Sequence, residues 1–348
     1  MQHKPVQHAL QAHFKLDPRR LEFIARFILA LLKVRTVNLA QIATALNGRA
    51  LLESNTKRAR RFLEFKLDQE LIASFVLALV PDEKLVLCMD RTNWKFGKLT
   101  INLLVVGIAY HGIALPIAWM NLGKNGNSNA SQRRALLERV LKLVPASRIF
   151  GFAADREFIG QAWFKSLLEH GVNPVIRIKK DTLIQHRLKI APAWAWFKAL
   201  KPGEVLELGK ARVMGVRVFV IATLTEDGEL LALVTVKRPS KALVIYAQRW
   251  EIETLFGALK SRGFNLEDTR VTNLERSERL FALLVVALTW AVMVGEFVSS
   301  LEPLRVRNHG WVVKSVFRQG LDCLRQILLS GESRKLVLDD VVLLLSGS

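Results

Sequence analysis

The chain has 348 residues, 51% of them hydrophobic, with a formal net charge of +20 and a pI near 10.3. That length and apolar content are enough to bury a substantial core, so the charge decorates a folded body and a disordered basic tail is excluded. An excess of cations on this scale favours a polyanionic partner, either nucleic acid or an anionic membrane surface.

Residues 1–80 read as helical. LEFIARFILALLKV has helical apolar spacing, LAQIATALNGR reads as a second helix ended by Asn47-Gly48, and SNTKRARRFLEFK then gathers Lys57, Arg58, Arg60, Arg61 and Lys66. Two readings stand for this region. One is a helix-turn-helix module that contacts DNA through Arg58 and Arg61; the other is a helical bundle with a solvated basic face. The first fifteen residues, MQHKPVQHALQAHFK, lack the uninterrupted apolar stretch of a signal peptide. The spacing of five between His3, His8 and His13 suits neither one helix face nor a zinc site.

From residue 84 the pattern turns to strands. LVLCMD (85–90) ends in an aspartate, and LTINLLVVGIAY (99–110) and IALPIAWM (113–120) flank a His111-Gly112 hairpin signal. After the loop NLGKNGNSN come a helix, the strand RIFGFAAD (148–155) with its terminal aspartate, a second helix and the strand PVIRIKK. The order β-β-β-α-β-α-β over residues 81–180 predicts a mixed sheet covered by helices. Residues 181–238 alternate like antiparallel strands, with a hairpin at Asp227-Gly228, and read as a β-rich insertion. WAWF (194–197) near its start is either a packed aromatic cluster or a stacking surface. Residues 239–300 return to helix, and 301–348 form a helical tail. The apolar run 280–295 falls short of the roughly 20 residues that span a bilayer, which favours a buried helix. Cys88 and Cys323 stand alone, consistent with a reducing cytoplasm and with no disulfide or Cys-x-x-Cys metal site.

Three carboxylates then draw together. Asp90 and Asp155 each stand where an apolar strand ends, the position from which side chains of an open sheet reach a ligand crevice. Taken singly, each also suits a turn cap or an arginine partner. The third lies in YAQRWEIETLFGALK, read as one helix, where Tyr246, Arg249, Glu253 and Lys260 recur on one side at offsets of three, seven and fourteen. Glu251, about 200° around that helix from Glu253, faces elsewhere. Glu157 is expected to pair with Arg156 or with the insertion. Arg91, Asn93, Trp94 and Lys95 read equally as loop structure or as DNA contacts. Asp90, Asp155 and Glu253 make a hard-oxygen set suited to Mg²⁺ or Mn²⁺. Two ions about 4 Å apart would serve an in-line phosphoryl displacement, with Arg249 and Lys260 holding phosphates. Neither a GxxxxGK loop nor a GxSxG elbow occurs, so nucleotide hydrolysis and serine-hydrolase chemistry have no support.

DRTNW (90–94), DREFIG (155–160) and the Tyr-x2-Arg-x3-Glu-x6-Lys stretch resemble the motifs of bacterial DDE transposases, nearest in pattern to the cut-and-paste insertion-sequence family four. The resemblance covers roughly residues 40–300. It implies an α/β fold, a ribonuclease-H-like mixed sheet with flanking helices and a β-rich insertion between the second aspartate and the glutamate, to which the helical pattern of residues 1–80 adds an N-terminal helical region expected to bind DNA. By the same resemblance Asp90, Asp155 and Glu253 are the catalytic, metal-binding triad, while Tyr246, Arg249 and Lys260 contact the DNA. The implied reaction is Mg²⁺-dependent hydrolysis at the terminal inverted repeats, then attack of the freed 3′-OH on target DNA. A hairpinned end assisted by a stacking tryptophan is part of that expectation, and neither Trp194 nor Trp196 aligns with the family's stacking residue. The expected partners are double-stranded DNA and a second copy of the chain on it, in the cytoplasm with the nucleoid and without a membrane. The roughly 50 residues after the core leave little room for a separate dimerisation domain. The alternative is a transposase-derived DNA-binding protein without catalysis, against which the presence of all three carboxylates and their cations argues.

Overall fold

The structure, a computed structural model, describes residues 2–46, 50–81, 83–96, 99–304 and 312–347. Side-chain caps write the helix starts of the N-terminal layer. Asp17 accepts the Arg19 N–H ahead of α2 (Pro18–Val34), which follows α1 (His3–Gln11). Asn38 caps α3 (Leu39–Ala45), and Asp68 caps α5 (Gln69–Leu79). Between them, α4 (Leu52–Phe62) packs on α3 through buried Asn55, whose Nδ2 donates to the carbonyls of Ala43 and Leu46 at 3.5 and 3.4 Å. Its other face exposes Lys57, Arg58, Arg60 and Arg61, with the Arg58 guanidinium 4.9 Å above the Phe23 ring. The Asn47-Gly48 turn expected between these helices lies outside the described residues.

The sheet begins with β1 (Leu85–Phe96), β2 (Leu99–Tyr110) and β3 (Ile113–Asn121). It continues through α6 (Ala130–Leu141), β4 (Ile149–Ala154), α7 (Gln161–Glu169) and β5 (Pro174–Ile178). The spatial order β3-β2-β1-β4-β5, with β2 antiparallel to both neighbours and β1, β4 and β5 parallel, is the ribonuclease-H-like arrangement. One boundary differs from the sequence reading. β1 continues six residues past Asp90, because residues 91–95 pair with β2 from Arg91↔Leu104 to Lys95↔Thr100. What stops at that point is the parallel pairing, whose last pair is Met89↔Ala154.

The insertion adds β6 (Leu183–His186), β7 (Lys189–Pro192), α8 (Ala193–Trp196), β8 (Val205–Val213), β9 (Val216–Leu224) and β10 (Leu230–Thr235). β10 pairs antiparallel with β5, from Ala232↔Ile178 to Thr235↔Val175, so insertion and core share one ten-stranded sheet. The helices α9 (Ala242–Ala247) and α10 (Trp250–Leu259) then return across it. α9 seats Ile245 on Gly151 of β4, where an added Cβ would lie 2.7 Å from the Ile245 side chain.

The apolar run lies within α11 (Leu274–Leu301), 28 residues long, which by length and composition alone is long and apolar enough to cross a bilayer, against the length argument drawn from the sequence. Burial decides its nature. Within the protein 89% of its most apolar window is buried, enclosed by α2, α5, β3, α12 (Val316–Ser330) and α13 (Leu338–Ser346). α12 crosses α11 at backbone contact. A Cβ on Gly320 would lie 1.8 Å from the Ala291 carbonyl oxygen, and one on Gly295 2.0 Å from that of Val316. Neither backbone oxygen has room to move, so Gly320→Ala is expected to cost about 1–3 kcal/mol or more. Urea denaturation with an unchanged midpoint would show that the helices do not approach this closely.

Candidate active site

Because the last parallel pair is Met89↔Ala154, the next residue on each strand is an aspartate, and Asp90 and Asp155 emerge side by side from adjacent strands. Odd-numbered residues of β4 face α9, which brings Tyr246 over Asp155; the phenol donates to Asp155 Oδ1 at 3.1 Å. Burial first, then the neighbouring Asp155 carboxylate, pushes the Tyr246 hydroxyl up to about 12. It is therefore a protonated donor at neutral pH.

The stretch read as one helix is two. α9 ends at Ala247 and α10 starts at Trp250, joined through Gln248 and Arg249. At the joint the N–H groups of Gln248, Arg249, Glu251 and Ile252 donate to carbonyls three residues back, the tighter 3₁₀ pattern. The Gln248 carbonyl also accepts the Cys88 thiol at 3.3 Å, which ties the joint to β1. Arg249 sits at this joint and is 7% exposed. Its Nη1 donates to Glu253 Oε1 at 2.7 Å, and its guanidinium lies 5.4 and 5.1 Å from the Tyr246 and Trp250 ring centres. Its charge also acts on Asp155 and Asp90, and its Nε is buried without a partner. One arginine thus stands among three carboxylates and a phenol.

Asp90 is short of positive charge. Burial raises its carboxyl to about 6, with Glu157 and Glu253 adding like charge; the Arg91 N–H (2.7 Å) and Arg249 oppose the rise. Lys260 does not join this cluster. The helix ends at Leu259 where the chain doubles back at Gly263, whose added Cβ would lie 2.1 Å from the Ala258 oxygen. Lys260 therefore leaves helical geometry, donates to the Asn93 carbonyl at 3.1 Å and pairs with Glu267 at 2.9 Å, beside β1 just past Asp90.

The remaining candidates separate clearly. Glu251 points away from Glu253, as the helix geometry requires, and lies by the N–H groups of Tyr110 and Gly112 with one oxygen buried and unpartnered. Glu157 pairs with Arg91 at 2.9 Å, not with Arg156 or the insertion. The insertion is met by Arg156 itself, which shares Glu229 with Arg177 at 3.1 and 2.8 Å. Trp94 is buried, whereas Asn93 and Lys95 are exposed. Trp196 packs, with Nε1 donating to the Ile184 carbonyl at 3.1 Å, while Trp194 is 55% exposed. Arg58 and Arg61 stay on the open face of α4.

Two residues escaped the sequence reading. The pair Ala154↔Ile176 sets Arg177 next to Asp155 on the neighbouring strand, and its charge reaches Tyr246. Its one signal was an arginine inside the apolar strand PVIRI. Trp250 is 61% exposed and stacked on Arg249; its signal was its place inside the motif.

Among the described residues no group of three or more acidic, histidine or cysteine side chains is drawn close enough to hold one ion. The donor set nevertheless fits a hard divalent cation. It is all carboxylate oxygen, and Asp90 carries a raised proton affinity that a nearby positive charge would relieve.

A ribonuclease-H-like sheet with two aspartates on adjacent parallel strands and a glutamate on a following helix is the architecture of the DDE class. The sequence profile described as "Transposase DDE domain" matches residues 81–290. The chain belongs to that family. Among curated proteins none matches it. Among solved structures it is similar to the cryo-EM structure of a piggyBac transposase synaptic complex with hairpin DNA, at 10% identity over 91% of this chain and 72% of that one, with a TM-score of 0.44.

Glu251 gives a pH test that leaves the cluster intact. Burial raises its carboxyl from 4.5 to about 7 in the folded state. Its contribution to stability is therefore present below about pH 4.5 and lost as pH rises through 7. Glu251→Gln should gain stability relative to the parent between pH 5 and pH 8, read by urea denaturation at both. An identical difference at the two pH values would refute the raised proton affinity.

Proposed function

We propose that this member of the transposase DDE family is an active DNA transposase, of the insertion-sequence family four type, that cleaves transposon ends and joins the freed 3′-OH to target DNA. The observation that carries the reading is the convergence of Asp90, Asp155 and Glu253 around the buried Arg249. In the first step the oxygen of water bonds to the scissile phosphorus and the 3′-oxygen leaves; in the second that 3′-OH attacks a target phosphorus and displaces the target's own 3′-oxygen. Divalent ions, Mg²⁺ with Mn²⁺ as substitute and two in number, would be held by the three carboxylates and supply charge stabilisation for both displacements.

The chain's own groups account for positioning. Tyr246 fixes the Asp155 carboxylate by donating to it. Arg249 orients Glu253, and its unpartnered Nε is available to a phosphate oxygen once DNA enters. Arg177 flanks Asp155 from the next strand and is a second candidate for phosphate, while Lys260 serves DNA that passes along the outer part of β1. Exposed Trp250 and Trp194 offer faces on which an extruded base of a hairpinned end would stack. Lys57, Arg58, Arg60 and Arg61 on α4 suit the flanking duplex, and two copies of the chain on one pair of ends would complete the assembly.

The test is cleavage of a supercoiled plasmid that carries the coding sequence with its native flanks, in Mg²⁺ and in Mn²⁺. Asp155→Ala and Glu253→Gln are expected to lose cleavage by at least about a hundredfold, the scale of losing transition-state charge stabilisation, while still shifting DNA on gels. Cleavage that survives both variants would remove the triad assignment. A wild-type chain that binds the DNA but cuts it in neither metal would favour the non-catalytic alternative.

A further inference from the structure

The strand registers carry the acidic face of the sheet well beyond the site. Asp90, Asp155 and Arg177 are lateral neighbours on β1, β4 and β5. Arg177 stands opposite Leu233, and Leu233 opposite Ile221. Phe219 and Arg217 lie two and four residues back on β9 and therefore on the same face. Lys210 is opposite Phe219, Arg212 opposite Arg217, and Gln185 opposite Arg212. α9 covers the middle of this face, on β4, β5 and β10. Beyond it Gln185, Lys210, Arg212 and Arg217 are all exposed. With Arg187, whose backbone is left-handed at φ 53° in the β6–β7 turn, they line a hollow of about 300 Å³.

The charges in this hollow are arranged at a cost. Arg212 and Arg217 face each other directly across two antiparallel strands, a placement that destabilises a sheet. Among the described residues none of Arg187, Lys210, Arg212 and Arg217 is in an ion pair with an acidic side chain. A solvated face would scatter such charges or alternate their sign. Gathered around a concavity, with an amide beside them, they match a run of phosphates.

We propose that this face of the insertion is a second DNA-backbone site, engaging the phosphates of duplex DNA away from the reacting bond. The inference rests on the transposase reading. Three strand spacings and four residues of rise separate Asp155 from Arg217, a distance of about 20 Å, or roughly six base pairs of duplex. The patch thus holds DNA whose scissile phosphate is at the carboxylates, and it does so without reading sequence.

The experiment measures binding of the full chain to a 40-base-pair duplex of arbitrary sequence as salt is varied. The double variant Arg212→Gln/Arg217→Gln is compared with Lys198→Gln, an exposed cation of the same insertion outside the hollow. The double variant is expected to lower the slope of log affinity against log salt by about two, close to one per phosphate contact. Its affinity near 0.1 M salt should fall about tenfold or more, equally for unrelated sequences, with no loss in thermal midpoint. A slope matching that of Lys198→Gln overturns the proposal. So does a loss confined to one sequence, or binding to anionic phospholipid vesicles in place of DNA through nearby Leu188 and Ile190. Cleavage assays separate the two readings. A patch-dependent slope in a chain that never cuts DNA leaves the patch standing and removes the enzyme, whereas cutting with an unaltered slope does the reverse.

Discussion

The parallel pairing of β1 with β4 is the constraint on which the rest of the molecule depends. Its register, Val86↔Gly151 to Met89↔Ala154, delivers two aspartates to the same face at the same height. A slip of one residue on either strand would send one of them to the opposite face. The slip is prevented by the core, since Leu87, Cys88, Met89, Phe152, Ala153 and Ala154 are all fully buried and each face is covered. Position in the site is thus bought with apolar packing, several residues from any charge.

Electrostatics completes what the register begins. Burial disfavours the charged form of Asp90 and raises its proton affinity, and the carboxylates of Glu157 and Glu253 add like charge to that. Arg249 relieves it from the joint between α9 and α10, where the backbone tightens. An uninterrupted helix would have fixed Tyr246 and Glu253 to one rigid rod. The joint lets α9 follow β4 while α10 turns toward β1 and β3, so that two helices address one arginine.

Much of this was legible in the sequence, because strands and carboxylates announce themselves locally. β2 and β3 fall within a residue of the runs 99–110 and 113–120, and β4 and β5 follow the apolar stretches that precede the second helix and the insertion. The end of β1 was not legible, because residues 91–95 alternate only weakly and are drawn into strand by their partner β2. The α9–α10 joint was hidden for a similar reason: QRWEIE has no glycine or proline to break a helix, and the Cys88 thiol that meets the Gln248 carbonyl comes from a distant strand. Arg177 required a register between strands twenty residues apart, which no local pattern encodes. For α11, composition could not separate a core helix from a membrane span; only its neighbours do. The offset of fourteen that placed Lys260 on the motif face assumed a helix continuing past Leu259, which the backbone at Gly263 forbids.

The early end of β4 has a mechanical side. Past Met89, β1 has a ladder partner only in β2, so its opposite edge has no strand beside it, and side chains meet its backbone instead, Asp90 at the Arg91 N–H and Lys260 at the Asn93 carbonyl. Such an edge is a template on which any extended chain can add itself as a further strand. The Lys260 ammonium bonds the Asn93 carbonyl on β1, and the turn at residues 266–268 packs beside the same strand. The ammonium of Lys260 thus caps a stretch of strand edge that has no neighbouring strand, and covers it from strand addition.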